Sequence, residues 1–344
     1  MQVRHTVPRT SVNIGRSPRG ELVDRMLEQT EQHLARVILV ANQKGGVGKS
    51  SIVSAIAGMV AGPQRRVLVV DADQQGNVSR NDLGVAGDRG KTLAMALQYA
   101  QVLEPVRDVR PGLDVIPGGP LLAAMASMVA TAGQTGIDIA SNFATTLAQL
   151  CEREQYSLVL IDSGPGDAPL LDVLLDISRY LVVPSCDDEA SFDGVELLAG
   201  RYLRARARGA GIALLGVVLF NVNPRATTRN EEALQSLTDL LDGSGATAFR
   251  SIIRTDKATA IDLRKQHLTA GELVTESEKQ KKNRLKQLGS GQKIRQDKRL
   301  WSRDPSCLAN DYQQLAREIL SRVATHEGRY SEEAMSSCCL LYTF

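Results

Sequence analysis

Long apolar runs, clustered cysteines and tryptophan are what this chain of 344 residues has least of. No run approaches the roughly 18–20 apolar residues that a membrane-crossing helix needs. The N-terminus is polar and lacks an apolar signal-peptide core, so a cytoplasmic protein is expected. Cys151, Cys186, Cys307, Cys338 and Cys339 show no CxxC or other metal-ligand spacing, which reads as reduced thiols and not a disulfide frame. Trp301 is the single tryptophan, too little to argue base stacking from sequence. No internal repeat is visible. What remains, 43% hydrophobic and 23% charged residues, is ordinary globular composition and excludes global disorder.

Net charge is also scarce, at +2, but it is unevenly spread. Residues 279–303 hold ten Lys or Arg against one acid, Asp297, which leaves the rest of the chain at −7. Residues 1–20 add Arg4, Arg9, Arg16 and Arg19 with no acid. An acidic body with two basic segments points to a polyanionic partner, nucleic acid or a membrane surface.

Apolar strand-like runs at 37–41, 66–71, 113–116, 158–162, 180–184, 214–220 and 249–253 alternate with helical patterns near 49–61, 91–100, 137–153, 191–208 and 228–241. This alternation predicts an α/β fold, a mostly parallel sheet with helices on both faces. The expected organisation is a basic arm and short helix over 1–35, a nucleotide-binding domain over 36–274, and a basic insertion over 275–303. The insertion reads as a solvated helical pair or a mobile loop. A C-terminal helix over 304–326 completes the domain, and a tail follows over 327–344.

The first strand runs into Lys44-Gly45-Gly46-Val47-Gly48-Lys49-Ser50-Ser51 and then an apolar helix. Glycines let the backbone turn so that successive N–H groups face phosphate oxygens, and the helix N-terminus adds partial positive charge. Lys49 then neutralises the β/γ-phosphates and the Ser50 hydroxyl ligates Mg²⁺. The standard loop has glycine at position 43, where this chain has Gln43. Lys44 at the loop's front is either a solvated cation or one that reaches a nucleotide held by a facing subunit, like an arginine finger supplied in trans.

The second strand ends in Asp71-Ala72-Asp73. Two carboxylates at i and i+2 can share a site, one orienting Mg²⁺-bound water and the other polarising the attacking water, or they can simply cap a turn. Asp162 closes another buried strand beside the loop, the usual place for a water-mediated Mg²⁺ ligand.

These residues resemble the ParA/MinD family of deviant Walker-A ATPases, whose mark is KGGxGK[ST]. The resemblance covers residues 36 to about 325 apart from 275–303. It implies a P-loop fold, ATP and Mg²⁺, and a trans contact from Lys44 across a sandwich homodimer. It also implies hydrolysis that requires Asp73, in an element the family writes DxDPQGN; here Gln74 replaces proline. The family's second switch, DxPP, stands here as Asp162-Ser163-Gly164-Pro165. Pro184 occupies the loop that edges the nucleotide. Asn221 and Asn223 fall where the family often contacts adenine, or serve as turn residues beside Pro224. Ile252-Ile253-Arg254, with Lys257 three residues later, resembles the family's "IPR" element, where the arginine helps bind DNA without sequence preference; the alternative is a surface charge at a strand's end.

The basic residues Lys279, Lys281, Lys282, Arg284, Lys286, Lys293 and Arg295 read either as a solvated face or as added phosphate contacts. The function the resemblance implies is a ParA-type DNA-partitioning ATPase, nucleoid-associated in the cytoplasm and stimulated by a ParB-like centromere-binding protein, with no membrane partner. Three alternatives stand beside it. One is a MinD-like membrane-associated regulator, which needs a C-terminal amphipathic helix; the others are an iron–sulfur carrier on the same fold and a nucleotide-gated DNA binder with negligible turnover.

Overall fold

The computed structural model describes residues 29–241, 244–289 and 300–328. In chain order the elements begin with β1 (Val37–Val40), α1 (Lys49–Val60), β2 (Val67–Ala72), a π-helical turn (Asn77–Asp82) and α2 (Lys91–Tyr99). Next come β3 (Val106–Arg110), β4 (Leu113–Ile116), a 3-10 turn (Pro120–Ala124), α3 (Met125–Thr135), α4 (Ile139–Glu154) and β5 (Leu158–Ser163). The rest are α5 (Ala168–Ile177), β6 (Tyr180–Ser185), α6 (Glu189–Ala207), β7 (Ala213–Val222), α7 (Thr227–Leu240), β8 (Ile253–Arg254), α8 (Lys257–Gln266), α9 (Ala270–Gly289) and α10 (Ser306–His326).

The strands form one eight-stranded sheet in the order β3-β4-β2-β5-β1-β6-β7-β8. Every neighbouring pair is parallel except β3 with β4. Alternate residues of the central strands feed two cores, because successive side chains leave opposite faces of a strand. Val37, Leu39, Leu68, Val70, Val159 and Ile161 join the layer formed with α2 to α7. Ile38, Val40, Val67, Val69, Leu158 and Leu160 join the layer of α1, α9 and α10. Being wet on neither face, these strands are near-continuous apolar runs, which is why they are legible in sequence.

Strand β3 was not expected. Its sequence, Val-Arg-Asp-Val-Arg, is half polar and mostly exposed, the composition that protects a sheet edge. The strand expected over 249–253 shrinks to the two residues of β8, for a reason visible in α10. Glu318 accepts from the backbone N–H of Arg250 (3.1 Å) and Ser251 (3.0 Å), and Asp311 accepts from that of Arg254 (3.1 Å). Carboxylates therefore take hydrogen bonds that a longer ladder would have used.

One expectation about the C-terminal part changes in detail. Helix α9 runs continuously through the boundary expected at 274/275. Helix α10 buries Leu308, Tyr312, Leu315, Ile319 and Val323 in the sheet's second core, so its apolar face is already occupied. Residues 1–28 and 329–344, hence most of the N-terminal arm and tail, lie outside the described residues.

At the edge of the sheet opposite the phosphate loop's end of the strands, an ion network ties α4 to β2 and β3. Glu154 accepts from Arg66 (2.7 Å), Arg107 (2.6 and 2.8 Å) and Arg153 (3.0 Å). The buried Asp114 accepts from Arg66 and from the Tyr156 hydroxyl, both at 2.5 Å. The guanidinium of Arg107, and then those of Arg66 and Arg153, hold the Glu154 carboxyl down at about 2. A depressed carboxyl pKa adds stability that is complete above the unfolded value near 4.5 and is lost as pH falls towards 2. Glu154→Gln is therefore expected to cost about 1–2 kcal/mol at neutral pH, after discounting for the half-exposed arginines, and to flatten the acid limb between those values. Urea unfolding at several pH values reads this; parallel acid limbs for the two proteins would exclude it.

Candidate nucleotide site

The strand order reverses beside β1, which lies between β5 and β6. At such a point the loops leaving the strands' carboxyl ends part and open a crevice. The 45–51 loop occupies it. Gly46 and Gly48 have φ of 78° and 91°, the left-handed region that favours glycine. A Cβ on Gly48 would also stand 2.3 Å from the Phe220 ring. No side chain caps the start of α1, so its first N–H groups are free to meet an anion.

Lys49 is the cation of the crevice. Only 6% exposed, it donates from Nζ to the Lys44 carbonyl (2.9 Å). Burial lowers its pKa, and the nearby carboxylates of Asp162 and Asp73 oppose that shift. The Ser50 hydroxyl donates to Asp162 Oδ2 at 2.7 Å. Asp162 Oδ1 is buried with no hydrogen-bond partner. Burial, with Asp71 close by, raises the Asp162 carboxyl well above its ordinary range. An orphaned, buried carboxylate oxygen beside a serine hydroxyl is a fitting seat for a hydrated divalent cation. Among the described residues no three His, Cys, Asp or Glu converge as a self-sufficient metal site, so such a cation would take its other ligands from phosphate and water.

The two aspartates at the end of β2 have different work. Asp71 accepts from the Ser79 N–H (2.8 Å) and hydroxyl (2.7 Å) and from the Asp73 N–H (3.2 Å). It is the buried clasp that closes the loop onto the π-helical turn. Burial pushes its carboxyl up to about 6 in spite of the Ser79 hydrogen bonds. Asp73, 2% exposed, accepts from the Gln75 N–H (2.9 Å) and Asn77 Nδ2 (3.1 Å) and has no ion-pair partner among the described residues. A Cβ on Gly164 would meet Asp73 Oδ1 at 3.0 Å, so the glycine in the second switch leaves the room in which this carboxylate sits.

Lys44 is turned away from its own loop. Its ammonium pairs with Asp188 and donates to Ser191 Oγ (2.9 Å) at the start of α6. Sequence reasoning missed both partners, and it missed Asn42. That side chain is fully buried, accepts from the Lys44 N–H (2.9 Å) and donates to the Pro184 carbonyl (2.8 Å). Pro184 thus holds the front of the loop through its backbone. Gly194 is needed there, because a Cβ would stand 2.5 Å from Asn42 Oδ1. The only trace in the sequence is a polar Asn42 closing an apolar strand just before the loop.

Asn221 has a left-handed backbone (φ 61°) and, with Gly46, Phe220 and Arg254, lines a cavity of about 200 Å³ beside the loop. Asn223 is not in that lining. Its side chain accepts from the Arg225 N–H (3.0 Å), which is a turn. Arg254 is committed within the chain, donating to Asp311 at 2.5 and 2.7 Å. Lys257, Lys279, Lys281, Lys282, Arg284 and Lys286 are exposed and make no ion pair among the described residues. Lys293 and Arg295 lie outside them. Cys151 is a core residue whose thiol burial pushes up to about 12. No helix among the described residues is long and apolar enough to cross a membrane.

Comparison with known proteins agrees with this fold. The family model described as an AAA domain matches residues 35–207. The chain is 32% identical to the chromosome-partitioning ATPase Soj of Thermus thermophilus over 185 residues, 54% of this chain and 68% of that protein. Apo McdA of Cyanothece superposes with a TM-score of 0.59 at 17% identity, over 69% of this chain and 92% of its own. The structure of pNOB8 ParA bound to nonspecific DNA gives 0.54 at 21% identity, over 84% and 99%. At such identities the two structures speak for the fold alone.

Proposed function

The chain belongs to the ParA/MinD family of P-loop ATPases, and we propose that within it the protein is a DNA-partitioning ATPase that binds DNA without sequence preference while ATP is bound. In this reading the 45–51 backbone and Lys49 grip the triphosphate. Ser50 and Asp162 hold Mg²⁺, which when bound neutralises phosphate charge. Asp73 orients the attacking water and accepts its proton. Lys44 leaves Asp188 and Ser191 to reach the nucleotide of a facing copy. Lys257 and the cations of α9 take DNA phosphates, and a ParB-like centromere-binding protein accelerates turnover and so releases the cytoplasmic monomer from the nucleoid.

The observation that carries the reading is the pairing of two unsatisfied features in one chain. One is a buried Asp162 oxygen without a hydrogen-bond partner among the described residues; the other is a row of exposed cations on α9 that make no close ion pair among them. Relatives named for chromosome partitioning give the reading its cargo class.

Retention on immobilised duplex with ATP, ADP or no nucleotide tests it. Retention is expected with ATP only and is expected to fall steeply with salt, since each phosphate contact releases counterions. Lys49→Ala is expected to abolish it. Equal retention in all three conditions would leave a constitutive basic binder and sink the proposal.

A further inference from the structure

Trp301, the only tryptophan in the chain, is 68% exposed between Leu300 and Ser302, which are each 9% exposed. Its backbone is fixed. The buried Asp262 of α8 accepts from the Trp301 N–H (3.0 Å) and the Ser302 N–H (2.7 Å). The Ser302 hydroxyl also shares a hydrogen bond of 2.8 Å with Thr259. The indole is thus a large amphipathic group held out into water on a rigid mount, the form of a contact residue and not of a frayed loop.

The elements around it carry many exposed cations, with Asp304 and Glu278 the exposed acids among them. The outer face of α8 carries a groove of about 610 Å³ lined by Lys257, Ile261, Arg264, Lys265 and His267 with no acidic residue. Arg303 follows Trp301 and is exposed. Helix α9 lies alongside, its Gln280 reaching the Leu300 N–H at 3.5 Å, and it presents the exposed Lys279, Lys281, Lys282, Arg284 and Lys286, of which Lys281 faces Asp304. The exposed apolar side chains here, Ile261, Leu285 and Trp301, sit singly on three elements, and the apolar face of α10 is buried. A bilayer needs a continuous apolar face to receive, which the described residues of this surface do not form. Phosphates at many points with one apolar side chain between them are what a nucleic-acid duplex meets.

We propose that Trp301 is a DNA-contacting side chain. Its indole packs against sugar or base edges of a duplex whose phosphates engage Lys257, Lys265 and the cations of α9. The inference rests on the DNA-binding reading above and adds a contact that is not electrostatic.

Because the chain has one tryptophan, its fluorescence reports on this position alone. With the full chain and ATP, added duplex is expected to quench the indole and shield it from acrylamide. Trp301→Ala is expected to weaken retention about tenfold with an unchanged slope of log affinity against log salt, and Trp301→Phe to restore part of it. Lys281→Ala with Lys282→Ala is expected to reduce that slope by about two. Wild-type retention with an indole still open to acrylamide would overturn the contact and leave the DNA reading standing. Failure of the wild type to bind duplex with any nucleotide would take both down. An indole that responds to anionic phospholipid vesicles and not to duplex would overturn it in favour of a membrane.

Discussion

Asp73→Ala is expected to lower ATP turnover by about 10²–10⁴-fold while nucleotide binding changes little. Binding rests on the 45–51 backbone, Lys49, Ser50 and Asp162, none of which hydrogen-bonds Asp73. What the substitution removes is a buried carboxylate aimed by the Gln75 N–H and Asn77 Nδ2 and left without an ion-pair partner among the described residues. Asp71 does not replace it, since its oxygens are taken up by Ser79 and the Asp73 N–H. A protein that loads ATP and cannot split it also holds DNA for longer. Turnover, fluorescent-nucleotide binding and the dissociation rate from duplex together read the outcome. Loss of binding in step with turnover would make Asp73 a structural cap; unchanged turnover would move the proton acceptor elsewhere.

What could be read from the chain follows from how local each signal is. β4 matches its expected bounds because Leu113, Val115 and Ile116 form a short apolar strand, buried throughout and bounded by Gly112 and Pro117. α5 was missed although Asp172 and Asp176, four residues apart in Ala-Pro-Leu-Leu-Asp-Val-Leu-Leu-Asp-Ile, mark one polar side of an otherwise apolar run. β8 was overextended because its ladder is cut short by carboxylates of α10, some sixty residues further along. The phosphate loop is legible since its glycines and Lys49 act within one turn of chain. Asn42 with Pro184 and Lys44 with Asp188 are not, being more than 140 residues apart and joined only because β1 pairs with β6. Exposure is likewise invisible in sequence, so a lone tryptophan gained meaning only when its mount was seen.

The Lys44 pairing sets the other large effect. A cation delivered across a dimer to a transferring phosphoryl group is worth about 10³–10⁵ in rate where a guanidinium does it, so Lys44→Ala is expected to erase most stimulated turnover. Within one chain the same ammonium is held by Asp188 and Ser191, and that ion pair holds the Asp188 carboxyl below its ordinary value. The side chains are 31% and 47% exposed, so the pair contributes only about 0.5–1 kcal/mol. Asp188→Asn therefore has the opposite sign and a smaller size. It frees the lysine and raises the ATP-dependent dimer fraction about two- to fivefold. The fold survives it, because Asp188 caps α6 by accepting from the Ser191 N–H, and asparagine caps as well. Sedimentation with ATP and turnover with duplex separate the two variants. Stimulated turnover that withstands Lys44→Ala would reduce this lysine to a surface cation with a neighbour.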